Sequence, residues 1–162
     1  TSANGIQNRV KDALGYLQSE DAGGDWAYYL DAGEVRWNDV IVYGYSYGGQ
    51  VAAAATKYVA LHRAIAVSGP NIVITAGWLG DPSVTPGYRS FSIGGDSDGT
   101  RTAQIATVTA LGWPGSEIDV PVSQPPYEGS SILTLEGAHA DLCAQAGVTN
   151  ETCCEFAFGY QP

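Results

Sequence analysis

The chain has 162 residues, of which 17 are acidic and seven basic, giving a formal net charge of −10. Such an acidic surface, with no cluster of basic residues, excludes nucleic acid as an expected partner. Hydrophobic residues make up 44% of the chain, which excludes a disordered protein. No apolar run approaches the roughly 20 residues of a transmembrane segment, and the length predicts a single domain over residues 1–162.

The N-terminal region contains one clear helical pattern. Apolar residues recur at spacings of three and four between Ile6 and Leu17, which predicts an amphipathic helix. Acidic residues and glycines at 19–24 interrupt this pattern. The segment 28–37 fits neither a helix nor a strand clearly.

A strand, a tight turn and a helix are predicted next. Residues 40–43 form a short β-branched run that leads into a glycine-containing turn, and the alanine-rich stretch 50–62 predicts a helix. A second apolar run, 64–67, is too short for a helix and predicts a strand. This succession is typical of a βαβ unit with parallel strands.

The C-terminal half continues the alternation of strands and helices. Strands are predicted at 89–93, 117–122 and 132–135, and a helix at 102–111. The alternation predicts an α/β fold with a mostly parallel sheet and flanking helices.

The turn after the first predicted strand carries a motif with chemical meaning. Gly44-Tyr45-Ser46-Tyr47-Gly48 matches G-x-S-x-G, and it lies between a strand ending at Tyr43 and a helix beginning just after Ser46. In such a turn the serine is strained and exposed, and glycines on both sides let strand and helix approach closely. We expect Ser46 to be a nucleophile and the Tyr47 N–H to be an oxyanion-hole donor.

A serine nucleophile needs a base, and histidine usually serves at neutral pH. His62 precedes a strand, at the opposite edge of the sheet from Ser46, where we expect it to cap a helix C-terminus. His139 follows the last strand, on the edge where open α/β sheets bind ligands. His139 is therefore the predicted base.

The orienting acid is expected after a strand between the serine and the histidine. Asp96 and Asp98 both follow the strand at 89–93. The turn 95–98 resembles the Gly-x-x-Asp turn common in the α/β-hydrolase superfamily, and this resemblance implies Asp98 as the acid, with Asp96 as its competitor. The aspartate that is not used is expected to cap the next helix. Asp119 and Asp81 are more distant alternatives.

The order of Ser46, Asp98 and His139 resembles that of the α/β-hydrolase superfamily, in the neighbourhood of secreted bacterial esterases, lipases and cutinases. The resemblance covers the chain from Val40 onward. It implies cleavage of a small-molecule or lipid-like ester, without a metal or other cofactor. The alternatives are a catalytically silent binding domain, or a peptidase or thioesterase on the same fold.

This resemblance also has a gap, because the superfamily usually has several strands before the serine. Here one helix and an ambiguous segment precede Ser46. We therefore expect a partial hydrolase domain whose N-terminal strands are missing or belong to a companion chain. The absence of methionine and the start at Thr1 suggest a processed N-terminus, and the low lysine content suggests a secreted or periplasmic protein.

Two further groups of residues are ambiguous. In an oxidising compartment we expect Cys143 to form a disulfide with Cys153 or Cys154, which leaves one thiol over; three reduced, buried thiols are the alternative. The aromatic residues near the proposed site are expected either to line a substrate pocket or to be packing residues. They are Tyr45, Tyr47, Trp78 and Tyr127.

Overall fold

The computed structural model describes residues 5–71, 77–120, 126–138 and 157, and the chain forms two compact units, 1–40 and 41–162. In the first unit the predicted helix is confirmed as α1, which spans Ile6–Glu20. The ambiguous segment contains short 3₁₀ helices and a hairpin. The 3₁₀ helices are Trp26–Tyr29 and Trp37–Asp39, and the hairpin strands are β1 (Leu30–Asp31) and β2 (Glu34–Val35).

The hairpin of the first unit is closed by a two-residue turn. Ala32 and Gly33 both have positive φ, +49° and +80°. A turn of this kind matches the right-handed twist of the strands it joins. Lys11 Nζ on α1 lies 2.5 Å from Glu34 Oε1 on β2, which connects the helix to the hairpin. None of the side chains described between 5 and 40 is fully buried.

The second unit is built on a parallel sheet of five strands. They are β3 (Ile41–Tyr45), β4 (Arg63–Val67), β5 (Ser90–Gly95), β6 (Ile118–Asp119) and β7 (Ile132–Leu135). The strand order is β3-β4-β5-β7-β6, with every pair parallel. The prediction of an α/β fold with a parallel sheet is thereby confirmed, and all carboxyl ends of the strands share one edge.

Two helices flank this sheet: α2 (Tyr47–Ala55) and α3 (Arg101–Ala110). Strand residues alternate between two apolar clusters. Ile65 and Val67 belong to one cluster with residues of β5 and β7. Ala66, between them, belongs to the other cluster, together with Ala53 of α2 and Val108 of α3. The helices therefore cover one face of the sheet.

The prediction that the second helix continues to residue 62 is wrong, because α2 ends at Ala55. Thr56 Oγ1 donates a hydrogen bond to the Ala53 carbonyl (2.6 Å), and the Thr56 carbonyl accepts from the N–H groups of Val84 and Thr85 (both 2.9 Å). These distant partners take the place of the next helical hydrogen bonds. Alanine-rich composition alone contains no information about them.

Lys57 adds a second long-range restraint after the helix. Its buried ammonium group donates to the carbonyls of Leu79 (3.1 Å) and Asp81 (2.6 Å). His62 is exposed and directly precedes β4, so it lies at the amino edge of the sheet, as predicted. The expectation that it caps a helix is wrong, because the helix has already ended.

The remaining predicted elements differ from the structure mainly in length. β5 extends two residues past the predicted strand 89–93, to Gly95. The strand predicted at 117–122 is present only as β6, and residues 121–125 lie outside the described residues. None of the described helices is long and apolar enough to cross a membrane.

Candidate functional site

The turn between β3 and α2 holds Ser46 in a conformation that residues other than glycine rarely adopt. Its φ is +55° and its ψ −117°, outside the extended, right-handed and left-handed helical regions. The Ser46 N–H donates to the Val67 carbonyl (2.8 Å), and the Ser46 carbonyl accepts from the Gly49 N–H (2.9 Å). The backbone strain expected from the motif is therefore present, and β4 and α2 hold it in place.

The glycines around Ser46 do not contribute equally to the tight turn. A Cβ on Gly44 would lie 1.9 Å from the Gly48 carbonyl oxygen, so this position tolerates only glycine. A Cβ on Gly48 would meet no described atom within 4 Å beyond its chain neighbours and the adjoining helix backbone. The second close approach involves Gly49 instead, where a Cβ would lie 3.2 Å from the Cα of Gly69. The motif therefore requires its first glycine for steric reasons, and the close approach expected at Gly48 lies one residue later.

Ser46 occupies the N-cap position of α2 without acting as a cap. A serine at this position usually accepts a hydrogen bond from the first turn of the helix. Here the Ser46 side chain makes no capping hydrogen bond. The adjacent Tyr47 N–H makes no hydrogen bond with any residue in the described part of the chain. A partly exposed hydroxyl therefore lies at the positive end of the α2 dipole, next to a backbone donor.

The strain at Ser46 leads to a stability prediction. Ser46→Gly should unfold with a free energy about 1 kcal/mol higher than Ser46→Ala, because glycine relieves strain of about 1–3 kcal/mol and loses about 0.5–1 kcal/mol in backbone entropy. Both variants lack the hydroxyl, so their difference isolates the effect of the Cβ. Denaturant unfolding measures it. Equal or higher stability of Ser46→Ala would contradict backbone strain at this residue.

The side chain of Asp98 is buried and extensively hydrogen-bonded. It follows β5 and is 7% exposed. Its Oδ1 accepts from both the N–H and the hydroxyl of Thr100 (each 2.8 Å), and its Oδ2 accepts from Gln104 Nε2 (2.8 Å). These contacts fix the orientation of the carboxylate at the carboxyl edge of the sheet.

Asp96 has a different environment. It is exposed, and its Oδ1 accepts from the Ser97 hydroxyl (2.7 Å) and from the Gly137 N–H (3.0 Å). These hydrogen bonds hold the pKa of Asp96 below its usual value. Thr100, and neither aspartate, is the N-cap residue of α3. Asp96 thus contacts the loop after β7, whereas Asp98 contacts the first turn of α3.

The loop after β7 lies directly on the turn after β5. The Asp96 N–H donates to the Leu135 carbonyl (2.9 Å) and the Ser97 N–H to the Gly137 carbonyl (3.0 Å). A Cβ on Gly95 would lie 2.2 Å from the Gly137 oxygen and 2.7 Å from the Ala138 oxygen. The structure therefore brings residues 135–138 against the aspartate turn.

Several predicted residues lie outside the described part of the chain. His139, the predicted base, follows Ala138 and is one of them. The three cysteines, Cys143, Cys153 and Cys154, are outside it as well. Ser46 and Asp98 both lie at the carboxyl edge, after β3 and β5 respectively. One strand separates β3 from β5, so the two strands are roughly 10 Å apart.

The aromatic residues fall into two groups. Tyr45 and Tyr47, on either side of Ser46, are exposed. Tyr127 is almost fully buried in the cluster formed by Ile65 and its neighbours, which favours packing over substrate contact. Trp78 is partly buried against the cluster on the helical face of the sheet. The described contacts do not bring Trp78 to Ser46, so its role as a substrate-binding residue stays a prediction.

Two polar residues behind Asp98 were not predicted from the sequence. Gln104 is fully buried and Arg101 almost so, and both lie on α3. One signal for Gln104 was available: it precedes Val108 by four residues and Leu111 by seven, which places it on the apolar face of the predicted helix. A polar residue on such a face needs buried partners.

Within the described ranges, no group of three or more His, Cys, Asp or Glu side chains is arranged to hold a metal ion. A hollow of about 500 Å³ lies beside the aspartate turn, and Asp98, Arg101 and Glu117 contribute to its lining. Comparison of the chain with protein-family models, curated proteins and solved structures gives no match.

Proposed function

We propose that this protein is a serine hydrolase of the α/β-hydrolase type that cleaves carboxylic esters through an acyl-enzyme. The geometry of Ser46 is the observation that supports it. The residue has strained backbone dihedral angles, lies between a parallel strand and a helix, and does not cap that helix. Strained dihedral angles lower the stability of the fold. They are useful to a nucleophile, because they expose its hydroxyl next to backbone N–H donors.

In the proposed reaction, His139 takes the proton of the Ser46 hydroxyl as its oxygen attacks the ester carbonyl. The Tyr47 N–H stabilises the resulting oxyanion, and the protonated His139 gives its proton to the departing alkoxide. A water molecule then repeats the sequence on the acyl-enzyme and releases the acid. Asp98 orients the imidazole of His139 throughout and stabilises its positive charge.

Two observations support this assignment of His139 as the base and Asp98 as the acid. The chain segment that ends at Ala138 lies on the turn after β5, and His139 is covalently joined to it. Asp98, in that turn, is the more buried aspartate and has a carboxylate with three described donors. Burial strengthens the interaction of a carboxylate with a neighbouring imidazolium.

The wider proposals concern the protein around this site. We propose an α/β-hydrolase domain in a secreted or periplasmic protein. An ester substrate is favoured over a peptide or a thioester only by the superfamily resemblance. A panel of p-nitrophenyl esters of increasing acyl length, with a matched thioester and a peptide anilide, distinguishes the three substrate classes.

Labelling with a fluorophosphonate tests the proposed nucleophile. We expect the full chain to gain one phosphonyl group by intact mass, and Ser46→Ala to gain none, because the probe reacts with activated serines. Ser68→Ala is the matched control: Ser68 follows the neighbouring strand β4 and also has positive φ (+49°), but it is 1% exposed. This control should label like the native chain.

The rival function is a hydrolase-like binding domain without activity. Absence of labelling in a complete, folded preparation would contradict the proposed hydrolase and favour that rival. Labelling that persists in Ser46→Ala would place the nucleophile elsewhere.

A further inference from the structure

A continuous chain of buried polar groups runs from Asp98 into the protein. Gln104 Nε2 donates to Asp98 Oδ2 (2.8 Å), and Gln104 Oε1 accepts from the Arg101 guanidinium (3.3 Å). The guanidinium is 3.2 Å from Glu117 Oε1. The side chains of Asp98, Gln104 and Arg101 are each more than nine-tenths buried. An isolated buried charge is unfavourable, so each member depends on its neighbours.

The amide of Gln104 has a single orientation that is consistent with these hydrogen bonds. One of its two N–H groups donates to Asp98, and the other donates to Thr100 Oγ1 (2.9 Å). The Thr100 hydroxyl in turn donates to Asp98 Oδ1. A flipped amide would direct its oxygen at the carboxylate and its N–H groups at Arg101. The arrangement therefore requires a glutamine at this position, oriented as observed.

The guanidinium of Arg101 donates hydrogen bonds to the sheet as well as to Gln104 and Glu117. It donates to the Leu133 carbonyl (3.0 Å) and to Thr134 Oγ1 (2.8 Å), both on β7. Burial lowers the pKa of Arg101, and the negative charge of Glu117 opposes this shift. An arginine nonetheless stays protonated in a protein, so Arg101 presents a fixed positive charge to Gln104.

Gly94 on β5 leaves space that the side chains of Arg101 and Gln104 occupy. A Cβ at Gly94 would lie 2.3 Å from Arg101 Nη1 and 2.7 Å from Gln104 Oε1. Its φ is not in the positive range, so the backbone does not require glycine there. A methyl group at this position would have to displace the side chains of Arg101 and Gln104.

We propose that Gln104 is a positioning residue for the catalytic acid: polarised by Arg101, it fixes the Asp98 carboxylate in the orientation that the histidine needs. This inference rests on the proposed hydrolase function. Its physical basis is that a carboxylate held from one side by three donors cannot rotate about its Cβ–Cγ bond without breaking them. A mispositioned acid leaves the imidazole misoriented, which slows the chemical step without weakening substrate binding.

The test compares kcat and KM for a p-nitrophenyl ester in the full chain. Gln104→Met keeps the length of the side chain and removes both donors. We expect kcat to fall by about 10²-fold, the size of a misplacement near 1 Å, with KM within about twofold of the native value. Thr107→Val is the matched control, because Thr107 is also fully buried on α3 but donates to the Ala103 carbonyl. It should lose stability and keep its kcat.

A double-mutant cycle separates positioning from general destabilisation. In an Asp98→Asn background, Gln104→Met should lower kcat no further, since the carboxylate that it positions is absent. If the losses in kcat of the two substitutions multiply in the double variant, or if kcat for Gln104→Met equals that of Thr107→Val, the proposal is overturned.

If Gln104→Met does not fold, Gly94→Ala replaces it. The new methyl group displaces the side chains of Arg101 and Gln104, and an unchanged kcat would again overturn the proposal that Gln104 positions Asp98. A native chain without hydrolysis or labelling refutes the proposed function itself.

Discussion

Asp98→Asn should lower kcat for ester hydrolysis by about 10⁴-fold, the loss typical when the acid of a Ser-His-Asp triad becomes an amide. The amide presents an N–H₂ group where the carboxylate presents an oxygen. It therefore stabilises the wrong tautomer of His139 and cannot stabilise the imidazolium that forms during attack. Steady-state kinetics on a p-nitrophenyl ester, with active sites counted by fluorophosphonate, measures the effect.

Asp96→Asn is the matched control for this substitution. The new side chain keeps a carbonyl oxygen that can accept from the Gly137 N–H, and Asp96 is exposed in the native protein. We expect kcat within about threefold of the native value. Substitutions of exposed residues usually change the free energy of unfolding by no more than about 0.5 kcal/mol, so the site should stay folded. A large loss in Asp96→Asn, together with a small loss in Asp98→Asn, would reverse the assignment of the acid.

Gly44→Ala should destabilise the protein by about 1–3 kcal/mol or more, because the added methyl group collides with backbone instead of a mobile side chain. Its Cβ would lie 1.9 Å from the carbonyl oxygen and 2.2 Å from the carbonyl carbon of Gly48. Strand β3 and helix α2 would have to separate. Because the same turn fixes Ser46, we also expect fluorophosphonate labelling to be lost.

Gly48→Ala provides the control within the same motif. Beyond its chain neighbours and the adjoining helix backbone, its Cβ would meet no described atom within 4 Å, and alanine is favoured over glycine in a helix by about 1 kcal/mol. We expect unchanged or slightly higher stability and normal labelling. Denaturant unfolding of both variants decides the matter. Equal destabilisation by the two substitutions would contradict the steric account of the turn.

The local elements were accessible from the sequence because their signals are local. The G-x-S-x-G motif lies between a β-branched run and an alanine-rich stretch, and these predict the strand, turn and helix around Ser46 without knowledge of distant residues. The short apolar runs at 64–67 and 132–135 likewise match β4 and β7. Alternation of such elements sufficed for the α/β class and the parallel sheet.

The features that distant residues create were not accessible. The end of α2 at Ala55 depends on hydrogen bonds from Val84 and Thr85, about thirty residues away along the chain. The position of β7 between β5 and β6 depends on which strands pair with each other. The sequence of a strand does not indicate which strands will be its neighbours in the sheet. Periodicity cannot reveal either, because each is a contact between separate segments.

The sequence by itself thus determined the α/β class, the strand–turn–helix that holds Ser46, and the residues to propose as its partners. Only the tertiary structure decided that Gly44 and not Gly48 is sterically required, that Asp98 is the buried aspartate, and that Gln104 and Arg101 lie behind it. The physical reason is the range of the interactions. Secondary structure follows from hydrogen bonds and side-chain patterns within a few residues, whereas burial and steric fit depend on where the sheet places other segments.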